Sequence, residues 1–152
     1  MQCTDTHNRR LLRKISKHAV LYTEMIAANA LVHGKQITKL DYSNEEHPVG
    51  VQLGGSEPKT LASAAVLCDR YGYDEINLNL GCPSERVQKG SFGAALMLEP
   101  DLVKQCIESI KSVSNTPLTV KCRIGIDKEE SYEFIARIVE DLSSVGIDKI
   151  GR

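Results

Sequence analysis

Short apolar runs of strand type alternate along the chain with amphipathic stretches of helical period. The period predicts a helix over 8–17, with Leu11, Leu12 and Ile15 facing inward. A strand near 20–24, a helix near 25–33 and a polar loop to about His47 follow. The next strand, 49–53, is broken by Gly54-Gly55-Ser56, and Pro58 stands where a first helical turn tolerates proline. That helix is expected to run to about Tyr71. A strand over 75–80 opens into a glycine-containing loop that reaches Ala94. A helix over 100–113, a strand over 117–123, a helix over 131–145 and an apolar stub over 147–150 complete the pattern.

Alternation of this kind means parallel strands joined by crossover helices, an α/β fold. An open doubly wound sheet and a (β/α)8 barrel both satisfy it. No GxGxxG follows the first strand, which weakens the dinucleotide-binding form of the open sheet. A barrel needs roughly 200 residues or more. The pattern opens on a helix and stops on a strand that has barely begun, so the expectation is about half of a barrel, cut at both ends.

Composition narrows the class of molecule. The chain is 41% hydrophobic and 26% charged, with a formal net charge of -1, as in an ordinary globular domain. Glu24 interrupts the longest apolar run, so no membrane span is expected, and the N-terminus lacks a secretory signal layout. Five cysteines (Cys3, Cys68, Cys82, Cys106 and Cys122) form no CxxC pair. Neither a zinc site nor a disulfide framework is expected, and a reducing, cytoplasmic setting fits.

Strands buried on both faces should be apolar throughout, so polar residues near their C-terminal ends are informative. Alternation puts Ile76, Leu78 and Leu80 on one face and Asn77 and Asn79 on the other. In the same way Gln52 opposes Val51 and Leu53, while Lys121 and Arg123 oppose Val120 and Cys122. Three strands thus each turn polar groups to a single face, where α/β enzymes bind ligands. Some of these residues can equally be hydrogen-bonded structural groups, and the pattern leaves both readings open.

Asn79-Leu80-Gly81-Cys82-Pro83-Ser84 puts a cysteine at the mouth of one such strand, flanked by Gly81 and Pro83. No histidine is near it in sequence, which disfavours a Cys–His nucleophile. An ordinary thiol is mostly protonated at neutral pH, and an exposed one beside polar groups can act as a general acid. Cys68 and Cys106 fall within helices, Cys122 faces the apolar side of its strand and Cys3 lies near the terminus; these four read as structural or incidental.

Three ordered segments, Val51-Gln52-Leu53-Gly54-Gly55, Asn77-Leu78-Asn79-Leu80-Gly81-Cys82-Pro83-Ser84 and Val120-Lys121-Cys122-Arg123-Ile124-Gly125, resemble the motifs of the tRNA-dihydrouridine synthases. The opening Met1-Gln2-Cys3-Thr4-Asp5 and Thr23-Glu24-Met25 resemble family segments too, and residues 124–134 look like the DusA subfamily. The resemblance implies an FMN-dependent oxidoreductase on a (β/α)8 barrel, with a further helical domain that binds tRNA. It implies NADPH as reductant and reduction of a uridine to 5,6-dihydrouridine. By motif match Cys82 would donate the proton to C5 of the base, and Asn79 would contact the uridine. Gln52 would hydrogen-bond the isoalloxazine ring, Lys121 would offset the charge of the reduced flavin, and Arg123 and Met1 would belong to the flavin neighbourhood or its support. The target base must leave its stack to reach such a pocket.

The chain also departs from that pattern. The family's first strand, the His-x-Arg segment after Ile150, the loops that would hold the FMN phosphate and the helical domain have no counterpart in it. Residues 1–152 would be the N-terminal part of the catalytic barrel domain. A different flavin barrel oxidoreductase acting on a small molecule, and an inactive or partner-dependent fragment, are the competing readings. Open strand edges would invite self-association.

Arg9, Arg10, Arg13, Lys14 and Lys17 gather on the first predicted helix. A solvated helix face explains them more simply than contact with an RNA backbone. The loop from Gly81 to Gly93 has no GK[ST] ending and reads as an active-site loop.

Overall fold

A computed structural model describes residues 4–34, 36–83, 92–126 and 131–151. Five strands, β1 (Leu21–Ala27), β2 (Val49–Gly54), β3 (Glu75–Leu80), β4 (Leu118–Cys122) and β5 (Lys149–Gly151), form one sheet in the order β1-β2-β3-β4-β5. Every pairing is parallel. A doubly wound sheet reverses its strand order at a switch point. Here each strand lies beside the next in sequence, the order of a (β/α)8 barrel, so the described fold is an arc of that barrel.

The helices form because their ends are signalled and one face is apolar. α1 spans Thr6–Ile15, α2 Ala28–Val32, α3 Pro58–Tyr71, α4 Pro100–Lys111 and α5 Tyr132–Ser144. α3 starts with proline in its first turn, and the Glu57 carboxylate accepts the backbone N–H groups of Lys59 and Thr60. It ends at Gly72, whose φ of 75° favours glycine. Leu61, Ala64, Ala65 and Cys68 recur on its buried face. On α4 the buried positions are Val103, Cys106, Ile107 and Ile110, and on α5 they are Phe134, Ile138 and Leu142. Both helices meet the apolar face of the sheet, where Leu80 borders a small gap with Leu96, Met97, Val103, Ile138 and Leu142.

Three expectations fail at the N-terminal end. Leu11, Leu12 and Ile15 do not face the core: they are 60%, 38% and 75% exposed, and Arg9 is the buried residue of α1. The Arg9 guanidinium pairs with the fully buried Glu46 carboxylate at 2.5 Å and donates to the Thr4 carbonyl at 2.6 Å. Arg13 donates to the carbonyls of Ser16, Ala19, Glu46 and Pro48 at 2.8–2.9 Å. These two arginines are anchors, not a solvated face. Their partners include the stretch read as a plain polar loop, which contains 3₁₀ turns at Ile37–Leu40 and Asn44–Glu46. Ser43 and Glu46 close a capping box around the second turn. Met25–Ala27, expected to begin a helix, extend β1 instead.

Candidate active site

The register of the sheet brings the predicted polar residues into one row. Gln52 of β2 stands beside Asn77 of β3, and Asn77 beside Thr119 of β4. One level nearer the C-terminal ends, Asn79 stands beside Lys121. In-register residues of parallel strands share a face, so Gln52, Asn77, Asn79, Thr119 and Lys121 all line the inner side of the arc. Asn77, Asn79 and Thr119 are buried, Gln52 is half-buried, and Lys121 is exposed.

Buried polar groups need partners, and these supply one another. The Asn79 amide nitrogen donates to Gln52 Oε1 at 2.9 Å, and Gln52 Nε2 donates to Asn77 Oδ1 at 2.9 Å. Asn77 Nδ2 donates to Thr119 Oγ1 at 2.8 Å, and the Thr119 hydroxyl donates to Glu75 Oε1 at 2.5 Å. The same Glu75 oxygen accepts the Tyr22 hydroxyl. Burial, then the hydrogen bond and charge of Glu75, push the Tyr22 phenol above its ordinary pKa.

At the upper end of the row, Asn79 Oδ1 accepts the backbone N–H of Gly81 at 3.1 Å and of Cys82 at 2.9 Å. One side chain thereby fixes the turn that carries the cysteine out of β3. The Cys82 carbonyl accepts the N–H of Ala94 at 3.1 Å, which ties the far side of the loop back to its start. Cys82 itself is half-buried. Residues 84–91, the rest of the predicted active-site loop, lie outside the described residues, as do Met1 and Cys3.

Two glycines permit close approach around this mouth. A Cβ on Gly81 would stand 3.2 Å from Arg123 Cγ, so the Arg123 stem packs against the turn beside Cys82 while the residue as a whole stays exposed. A Cβ on Gly54 would come within 2.9 Å of the Phe92 ring and 3.0 Å of Met25 Sδ. Phe92 thus packs over the end of β2 at Gly54.

The remaining described cysteines have the settings the sequence suggests. Burial pushes the Cys68 thiol up to about 12 and the Cys106 thiol up to about 11. The Cys122 thiol is likewise raised, mainly by burial. No cluster of three or more metal-ligating side chains occurs among the described residues, and no described helix is long and apolar enough to cross a membrane.

The sequence reading missed Glu75 and Tyr22, and it left Thr119 out of the site although alternation puts it on the polar face with Lys121 and Arg123. A signal existed for the first: Glu75 continues the Asn77, Asn79 alternation on the inner face of β3. Nothing local in sequence announces Tyr22, which reaches Glu75 across β2 from 53 residues away.

The chain is similar to known proteins over nearly its whole length. The family model described as dihydrouridine synthase matches residues 1–151. A tRNA-dihydrouridine(20/20a) synthase of Synechocystis is 50% identical over 149 residues, covering 98% of this chain and 45% of its own length. The enzymes of that name from Vibrio vulnificus and Escherichia coli (strain K12) are 53% and 52% identical over 143 residues, each covering 94% of this chain. They are covered over 44% and 41% of their own lengths, so the chain spans less than half of these curated relatives. With its motifs in order and matched almost end to end, the chain belongs to the dihydrouridine synthase family.

Proposed function

We propose that the chain is the N-terminal part of the catalytic barrel domain of a tRNA-dihydrouridine synthase, and that its inner face binds FMN and a tRNA uridine. The observation that carries the reading is the pinning of Cys82 by Asn79 at the mouth of β3, in one hydrogen-bonded row with Gln52. The residues fit a flavin. Each end of the Gln52 amide is engaged once, which leaves one N–H and one lone pair for the polar edge of a ring. Lys121 adds an exposed cation on the same face, suited to a ring that gains negative charge on reduction. FMN, reduced by NADPH, supplies the reducing equivalents that saturate the C5=C6 bond.

The protein's own part is placement and proton supply. The Cys82 thiol delivers a proton to C5 of the uridine, whose developing negative charge is spread onto the C4 carbonyl. Asn79 retains one amide hydrogen that the row does not use, and this hydrogen is available to the base. Arg123 supports the turn through its stem and adds positive charge near an RNA substrate. Met1 is assigned to the flavin neighbourhood by its motif alone. A soluble, cytoplasmic setting suits an enzyme that acts on tRNA.

The test is a titration of the 152-residue chain with FMN, read in the visible absorption spectrum. Saturation near one flavin per chain, with a perturbed flavin band, supports the reading; absence of binding shows that this chain does not form the flavin site by itself. With FMN bound, Cys82→Ser is expected to keep the flavin and to lose dihydrouridine formation on tRNA. Full activity of that variant would exclude Cys82 as the proton donor.

A further inference from the structure

The row between Cys82 and Glu75 has a direction. Backbone N–H groups only donate and a carboxylate only accepts. The N–H groups of Gly81 and Cys82 end on Asn79 Oδ1 at the top, and the Thr119 hydroxyl ends on Glu75 at the floor. Between them each amide has one orientation that satisfies both neighbours, with every donor aimed from the cysteine turn toward Glu75. We propose that Glu75 and Thr119 are positioning residues that, with the cysteine turn, fix the polarity of this relay, so that Gln52 holds its oxygen toward the Cys82 end and its nitrogen toward the floor. That Gln52 meets a ligand rests on the function proposed above; the polarity does not.

A carboxylate at the top of the row exposes the constraint. In Asn79→Asp one oxygen still accepts the two backbone N–H groups, but the other faces Gln52 Oε1 and supplies no hydrogen. If the amides turn over to feed it, the Thr119 hydroxyl must donate to Asn77, and two acceptors are left in contact at Glu75. Glu75→Gln removes that conflict. Its nitrogen, placed where Glu75 Oε1 stands, donates to both the Thr119 and Tyr22 hydroxyl oxygens, and the relay from residue 79 through Gln52, Asn77 and Thr119 then runs backward with each of these satisfied, the half-buried Tyr22 hydroxyl alone giving up its acceptor. Glu75→Gln alone keeps the native direction, because its amide oxygen can accept as the carboxylate does.

The experiment is a double-variant cycle in thermal stability. Asn79→Asp is expected to lower Tm by roughly 4–8 °C, from one or two buried polar groups left in conflict. Glu75→Gln is expected to change Tm little, and the pair to recover at least half of the loss. Residues 75 and 79 are about 13 Å apart along the strand, a separation at which independent substitutions simply add. Asn79→Asp with Glu75→Met is the control: it removes the second charge but donates no hydrogen, so it should recover less than the glutamine pair. Should Asn79→Asp fail to fold, the glutamine pair is expected to fold and the methionine pair to remain unfolded by circular dichroism.

An additive glutamine pair, or equal recovery with methionine, overturns the proposal and leaves charge repulsion as the explanation. FMN titration of the refolded glutamine pair reads what the polarity does for the ligand. A reversed Gln52 should weaken FMN binding about tenfold, the worth of one hydrogen bond. Unchanged affinity would overturn the positioning role. If the native chain binds no FMN, it does not form the flavin site by itself, while the Tm cycle still decides the relay.

Discussion

The Tyr22 hydroxyl reaches Glu75 by laying its ring across β2 at Gly50, where an added Cβ would stand 2.7 Å from the ring edge. The glycine is thus a gap shaped for a side chain of the neighbouring strand, which crosses it to reach β3. Gly50→Ala should push the ring aside, break the contact to Glu75 and destabilise by about 1–3 kcal/mol. A second variant separates clash from backbone effects. In a Tyr22→Leu background the alanine should cost much less; equal losses in chemical denaturation would disprove the fit.

Arg9 and Glu46 hold α1 to the loop before β2. Removing the guanidinium leaves a carboxylate uncompensated with 0% exposure, so Arg9→Ala should destabilise by about 3–5 kcal/mol. Replacing the exposed neighbour Lys14 by alanine should change stability by less than about 0.5 kcal/mol. Urea unfolding of the two variants compares them directly.

The same pair sets an acid limit. Burial raises the Glu46 pKa, but hydrogen bonds from Thr6, the Ser43 backbone and Arg9, with the charge of Arg9, outweigh it and leave the carboxyl below its ordinary value. A carboxyl depressed in the folded state stabilises fully above its unfolded pKa, near 4.5, and loses that contribution as pH falls through the folded value. Unfolding free energy should therefore decline below about pH 4.5. Glu46→Gln should flatten that decline while lowering stability at pH 7. An unchanged acid slope would show that other carboxyls carry it.

Cysteine reactivity should follow burial. At pH 8 the thiols of Cys68 and Cys106, raised to about 12 and 11, stay protonated and shielded. Among the four described cysteines, iodoacetamide is expected to modify Cys82 first, and peptide mass spectrometry gives the order. Faster labelling at Cys122 would mean that β4 opens readily.

Asn79→Ala should free the N–H groups of Gly81 and Cys82 and let the cysteine turn drift. Under the proposed function, a misplaced proton donor lowers dihydrouridine formation about 10–100-fold, since catalysis is sensitive to shifts on the scale of an ångström. Saturating the reaction with tRNA should not recover the rate if the loss is in positioning. Recovery at high tRNA would assign Asn79 to substrate binding alone.

Much of this molecule is legible in its sequence. β3 is bounded by the same residues in both readings, because Glu75–Leu80 alternates cleanly and is closed by Gly81-Cys82-Pro83. Gln52, Asn77, Asn79 and Lys121 could be placed on one face by counting, since side chains in a strand alternate with a period of two. α1 shows where counting fails. Its apolar residues have the spacing of a buried stripe, yet Arg9 turns inward because Glu46, 37 residues away, waits there. Periodicity tells which residues share a side, not which side is covered.

By itself the sequence determined the alternation of strands and helices, the polar row beneath a cysteine turn, and membership of a family whose motifs occur in order. Only the tertiary structure decided that the strands follow in barrel order without a switch point, that two arginines anchor α1, and that Glu75, Thr119 and Tyr22 belong to the row. The reason is physical. Local spacing governs the conformation of an element and its faces, whereas the partner of a buried charge or amide comes from distant chain brought near by packing.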